Sequence, residues 1–480
     1  MPALTCTRLA RDARALEHLL RFFTVALAFM AVLSSAALAQ PAVTVSPTSG
    51  PPTDNVTVSG SGFGADEAVE ISFDTSDLAF GVTVSNGSFT GIRLAIPATA
   101  TPGVHSISAV GTVSGTTAQT SFVVQTNWPQ FHFGPAHLGY NATENVLNSA
   151  NVGTMQVRWR AHTGTIAGSS PVVQNGIVYV GSTDHNFYAF NAATGHPLWK
   201  AVTGGEILSS PAASNGMVYV ASGDYNLYAF DAVTGQPAWQ TSLGGAGSTL
   251  AVANGVIYVE SSVPSNGSDN YIHGLDAATG QLIWTAGNYG LDPERGMAPA
   301  VDDGYIFFTF YNDWLWQSEL NGEGILALSI TCTSSPAVAS GVVYVGYGSS
   351  LAAIGPGFGI LWTAGTSGTI VSSPAVANGV VYAGSDDNSL YAVGAVSGQV
   401  IWSAITGGAI ASSPAVANGV VYVGSDDHNL YAFDAATGAP LRVLLTGGPV
   451  TSSPAVANGV VYVGSEDGYL YAFSLPPSND

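Results

Sequence analysis

Carboxylates recur at one spacing along this chain: Asp184, Asp224, Asp386 with Asp387, Asp426 with Asp427, and Glu466 with Asp467. Each follows a short apolar run, as in Val420-Val421-Tyr422-Val423-Gly424-Ser425. If a repeating structure collects them on one face around a funnel, like charges add into a negative potential that could hold a cation or a basic peptide. The plainer account is that Asp and Asn tolerate tight turns, so repetition copies them without any selected site. Histidines offer less. His185 and His428 fall at equivalent places, while His162, His196 and His273 are scattered with no pair at zinc-site spacing. The sequence has no EF-hand loop, Gly-x-Ser-x-Gly elbow or P-loop.

What must position these side chains is a unit repeated about every 40 residues, with copies beginning near Pro171, Pro211, Leu250, Pro299, Pro336, Pro374, Pro414 and Pro454. Its apolar residues alternate with period two and are β-branched or aromatic, so the elements are strands. Asn-Gly, or Asp303-Gly304 and Ser340-Gly341, separates the first two strands of each copy. That dipeptide favours a type I′ hairpin, because both central residues need positive φ. The acidic turn joins strands two and three, and Asp-Ala-Ala-Thr-Gly or a variant leads into a strand carrying Trp. Four antiparallel strands per unit make a propeller blade.

Proline cannot donate to a ladder, so the Ser-Ser-Pro strand is expected at the inner edge of each blade, lining a channel. The last copy stops at Leu475 without its Trp strand, and a spare one, Gln156 to Arg160, lies upstream of the first. Borrowing it would close a ring of eight with no open seam, which protects sheet edges.

The run Ala-x-Asp/Asn-x-x-Thr-Gly-x-x-x-Trp stands at Ala189 to Trp199 and Ala229 to Trp239, with relaxed forms ending at Trp284 and Trp402. It resembles the PQQ-like β-propeller repeat family, which includes quinoprotein alcohol dehydrogenases and BamB-type assembly lipoproteins. The resemblance covers Asn127 to Leu475 and implies blade-docking roles for Trp159, Trp199, Trp239, Trp284, Trp362 and Trp402. Arg442 departs from it by replacing a tryptophan. The resemblance implies two functions of different class. One is a non-enzymatic scaffold binding a protein or cell-surface partner, with no cofactor. The alternative is a PQQ-dependent dehydrogenase with calcium. That enzyme needs a bound divalent cation, a catalytic aspartate and cationic partners for the quinone carboxylates. The only lysine here is Lys200, and beyond the first 39 residues the arginines are Arg93, Arg158, Arg160, Arg295 and Arg442.

Residues 1–39 read as a secretory signal peptide: Arg8, Arg11, Arg14 and Arg21, an apolar run from Phe22 to Leu33, then Ala37-Leu38-Ala39. Export to the periplasm or medium is expected. The formal charge of −21 disfavours nucleic acid and anionic membranes, and no later stretch looks like a membrane span. Cys6 lies in the leader, so Cys332 has no intrachain partner and is expected as a buried thiol. Residues 40–126 lack the repeat. Their short strands and Gly/Pro turns suggest a β-sandwich, and Pro47-Thr48-Ser49-Gly50 with Val56 to Phe63 resembles IPT/TIG-type immunoglobulin-like domains. Residues 127–155, with Trp128-Pro129-Gln130 and His137, read as a latch across the ring, His137 being structural. The propeller spans 156–475 and a tail follows at 476–480. The expected fold is all-β: an eight-bladed propeller preceded by a small immunoglobulin-like sandwich.

Overall fold

The computed structural model of the chain describes residues 40–263, 269–287, 297–309 and 313–477. The expected leader, Arg295 and the end of the tail lie outside them. Two compact units result. In the smaller, Ala42–Ser46, Asn55–Ser61 and Phe89–Ala95 form one sheet. Thr117–Val124, Gly103–Gly111, Ala68–Phe73 and Ser76–Val82 lie in order in the other. Alternation buries Val69, Ile71 and Phe73 on one face. Ser76–Val82 was not foreseen from the sequence: of its residues only Gly81 is buried, so it carries no apolar alternation to read.

The larger unit is built from antiparallel groups of four strands, eight among the described residues. The seventh shows the pattern: Ala415–Ala417, Val420–Ser425, Asn429–Asp434 and Pro440–Leu445. A single bridge, Cys332 to Tyr347, joins the fourth and fifth groups, and Cys332 is buried. The first turn has left-handed residues at both central positions, as at Asn418 (φ 42°) and Gly419 (φ 80°), which is why Asn-Gly recurs there. The eighth blade consists of Ala455–Ala457, Val460–Gly464, Tyr469–Ser474 and the upstream strand Gln156–His162, with Trp159 opposite Ala472. Each three-residue inner strand, or its longer counterpart in blade 3, lies beside the next, and that of blade 8 lies beside that of blade 1.

The Ser-Ser-Pro motif has a double use. The first serine caps its own blade, Ser412 Oγ accepting from the Gly424 amide at 3.0 Å. The second accepts from the preceding blade: Ser373 N–H donates to Ser413 Oγ, Ser413 N–H to Ser453 Oγ, and Ser453 N–H to Ser170 Oγ, at 2.9–3.0 Å. That last bond joins the two ends of the ring.

Candidate functional site

The inner strands create a problem in the middle of the ring. Each is a sheet edge, and a buried unpaired N–H costs about 1–3 kcal/mol. The segment from Trp128 to Asn141 answers it blade by blade. Trp128 exchanges both backbone bonds with Val173 at 2.8 Å. The carbonyl of Pro129 accepts from Ala213, and Gln130 Oε1 accepts from Val252. Carbonyls of Pro135, Ala136, Leu138 and Gly139 accept from Val301, Val338, Val376 and Val416 at 2.7–2.9 Å. Asn141 Nδ2 donates to the Val456 carbonyl at 2.8 Å. One short stretch therefore bonds to all eight inner strands, at the middle residue of the seven three-residue strands and at Val252 of the longer one in blade 3, and plugs the channel. Its flanks sit at the Asn-Gly face, where Thr126 Oγ1 accepts from Asn458 N–H and Glu144 Oε2 from Gly459 N–H.

The plug holds two buried histidines at left-handed positions, His132 and His137. His137 Nδ1 lies 3.2 Å from the Pro336 carbonyl. His137 is thus held through Nδ1, while the Nε2 of each ring has no hydrogen-bond partner among the described residues. Burial pushes His132 down to about 4, and burial with the neighbouring His132 pushes His137 down to about 3. Both values lie below the ordinary 6.5, so the unfolded chain takes up protons first as pH falls. The neutral rings contribute stability that is complete above pH 6.5 and is lost as pH falls through 4 and 3. The melting temperature of the intact chain should fall more steeply from pH 6.5 to 4 than that of a His132→Gln, His137→Gln double variant. Equal slopes would contradict this assignment.

The acidic turns lie at the opposite end of the second strands, and their carboxylates divide into two kinds. Asp184, Asp224, Asp387, Asp427 and Asp467 each accept from a tyrosine hydroxyl four residues on: Tyr188, Tyr228, Tyr391, Tyr431 and Tyr471. Four of them also hold the incoming inter-blade segment, through the amides of Gly204, Ser367, Gly407 and Gly447. Burial raises the Asp427 carboxyl, but bonds from Tyr431, Ser425, Asn429 and Gly407 outweigh it and hold the group below its ordinary value. These carboxylates are clasps. Asp386, Asp426 and Glu466 are the other kind. Burial, then Glu466, Asp386 and Asp427, raises Asp426, so these charges do feel one another. Among the described residues, however, no group of three His, Cys, Asp or Glu could hold a metal ion. His185 and His428 take left-handed turn positions and belong to no such group among the described residues.

The six tryptophans lie between blades. The indole N–H groups of Trp159, Trp199, Trp239, Trp284, Trp362 and Trp402 donate to the carbonyls of Ala192, Ala232, Ala277, Leu320, Ala395 and Ala435 at 3.0–3.3 Å. The motif glycine of the next blade lies on the ring; a Cβ on Gly195 would come within 2.6 Å of Trp159. Arg442 stands where blade 7 would have its tryptophan. Blade 8 takes its outer strand from upstream and so has no Thr-Gly turn to receive an indole.

Blade 3 departs from the repeat in a way the sequence reading missed. Glu260 takes the place of Gly181, Gly384, Gly424 and Gly464, where a Cβ would run into Ile207, Ile410, Val450 or Ile166. It is fully buried, Oε2 accepting from Met297 N–H at 2.8 Å while Oε1 has no hydrogen-bond partner among the described residues. Burial drives its carboxyl well above the ordinary range. Beside it His273 replaces the clasp tyrosine and bridges Ser261 and Thr285 at 2.7 and 2.9 Å. Ser261 is completely buried, so this chain of bonds serves as a clasp.

Quinone binding demands cations around the cofactor's carboxylates. Arg158, Arg160, Lys200 and Arg442 all stand on outermost strands, and Arg93 belongs to the smaller unit. With the plug in the channel, the described residues do not fit PQQ with calcium. A family model described as outer membrane protein assembly factor BamB matches residues 144–313, 268–409 and 386–475. The chain belongs to this family. No curated protein matches it. Among solved structures, BamB from Moraxella catarrhalis aligns with TM-score 0.58 and 15% identity over 67% of this chain and 99% of that one. The quinohemoprotein alcohol dehydrogenase from Comamonas testosteroni gives 0.62 and 16% over 74% and 82%. The computationally designed Ika8 protein gives 0.56 and 17% over 66% and 98%. At these identities the likeness is one of fold, and it spans BamB, an alcohol dehydrogenase and a designed protein alike.

Proposed function

We propose that the protein is an exported, non-enzymatic scaffold of the periplasm or medium that binds a protein partner. The observation that carries this reading is the plug, which fills the place where a propeller enzyme would need a reaction chamber. The clasp carboxylates are occupied as well. What remains for recognition is the rim, where outer strands expose Leu198, Leu282, Ile283, Ile360, Leu361 and Val400 beside few charges. Rigid blades presenting many small contacts suit a binding platform. The N-terminal unit, which resembles IPT/TIG modules, serves as a spacer. No helix among the described residues is long and apolar enough to cross a membrane. The test is capture of a partner from the native envelope or medium by the whole chain, beside incubation with PQQ and calcium or a lanthanide. A saturable partner supports the scaffold. Dye-linked alcohol oxidation overturns it.

A further inference from the structure

Basic side chains are scarce in this acidic chain, and two of them meet at one seam. Arg158 lies on Gln156–His162, the outer strand of blade 8, and reaches across to blade 1, where Lys200 lies on the outer strand Pro197–Val202. His162 adds an exposed imidazole. Between these blades the seam holds a cavity of about 370 Å³, lined by Ala161, His162, Tyr188, Phe190, Trp199 and Lys200 among others. Tyr188 and Phe190 stack at 5.8 Å, giving it an aromatic wall. At other seams the positions of His162 and Lys200 are filled by Val202 and Gln240, Gly365 and Ser403, or Ile405 and Val443. No basic pair stands there.

The seam's own carboxylates do not cancel its cations evenly. Asp184 is taken by the Tyr188 hydroxyl and the Asn186 amide. Arg160, which holds on blade 8 the place of Lys200 on blade 1, lies over Tyr469 at 4.8 Å and is drawn toward Tyr471 and Asp467 of its own blade, away from this seam. Arg158 gives its Nε to the Ala193 carbonyl and remains exposed. Lys200 is exposed and is in no ion pair among the described residues. From this charge pattern and cavity we infer that the seam between blades 8 and 1 is the docking site for a short acidic peptide segment carrying an aromatic side chain. The aromatic ring enters against Tyr188 and Phe190. Flanking carboxylates meet Lys200, Arg158 and His162. In a molecule of formal charge −21, only such a sector attracts a partner's acidic segment rather than repelling it. The inference rests on the scaffold reading and names the chemistry of its partner.

The probe is a short fluorescein-labelled peptide alternating glutamate with valine around one tryptophan, with fluorescence anisotropy read at low salt. The intact chain should bind it saturably, and a Lys200→Glu, Arg158→Glu variant should bind about tenfold more weakly. Ser403→Glu, at the place of Lys200 on blade 6, should bind like the intact chain. No binding by the intact chain, or equal binding by the double variant, overturns the site. A native partner captured equally by both proteins overturns the site and leaves the scaffold standing, whereas absence of any partner removes the scaffold reading itself.

Discussion

Trp159→Ala should lower the stability of the propeller by about 3–5 kcal/mol, the range for deleting a buried aromatic side chain. Trp159 is 9% exposed, tilts against Tyr462 at 5.8 Å and gives its indole N–H to Ala192. The loss also strikes the one blade whose strands are far apart in sequence, so the chain pays the largest loop-closure cost there. Denaturant unfolding followed by tryptophan fluorescence checks the magnitude. Limited proteolysis checks the place: the variant should be cut first between residues 163 and 171, where the borrowed strand leads into blade 1. A variant as stable as the intact chain would show that the seam is held by something other than this indole.

The second large effect concerns the plug. Trp128→Ala removes a side chain that is 1% exposed and meets Phe133 edge-on at 5.4 Å, and should also cost about 3–5 kcal/mol. Gln130→Ala deletes no comparable bulk, yet it strips the Val252 amide of its acceptor and should cost about 1–3 kcal/mol. Its damage should be local to blade 3, whereas Trp128→Ala should loosen the start of the plug and with it blades 1 and 2. Melting curves with hydrogen exchange separate the two. An unchanged melting temperature in Trp128→Ala would contradict a plug anchored at that residue.

Much of the architecture is legible because positive φ and β-alternation leave marks in residue type. Asn418-Gly419 and its counterparts announce their turns, and Gln156 to Arg160 announces a strand without a local partner. The plug left a weaker mark. Trp128-Pro129-Gln130 could be read as a latch, but its chief acceptors are backbone carbonyls, and any residue has one. The acidic turns carried a signal that went unused: an Asp followed four residues later by Tyr, from Asp184 and Tyr188 to Asp467 and Tyr471, marks the clasps. Asp386, Asp426 and Glu466 lack that partner. The two serines also differ in role, and only the ring shows which neighbour each one serves. Glu260 was hidden for a different reason. Its meaning lies in the glycine it replaces, and that glycine matters only because the next blade presses an isoleucine or valine against it.

Amide hydrogen exchange of the inner strands tests the plug most directly. With Trp128 to Asn141 seated, the amides of Val173, Ala213, Val252, Val301, Val338, Val376 and Val416 should exchange as slowly as those of the second and third strands of the same blades. Fast exchange at these amides beside slow exchange in the neighbouring strands would mean an open channel and would contradict a seated plug.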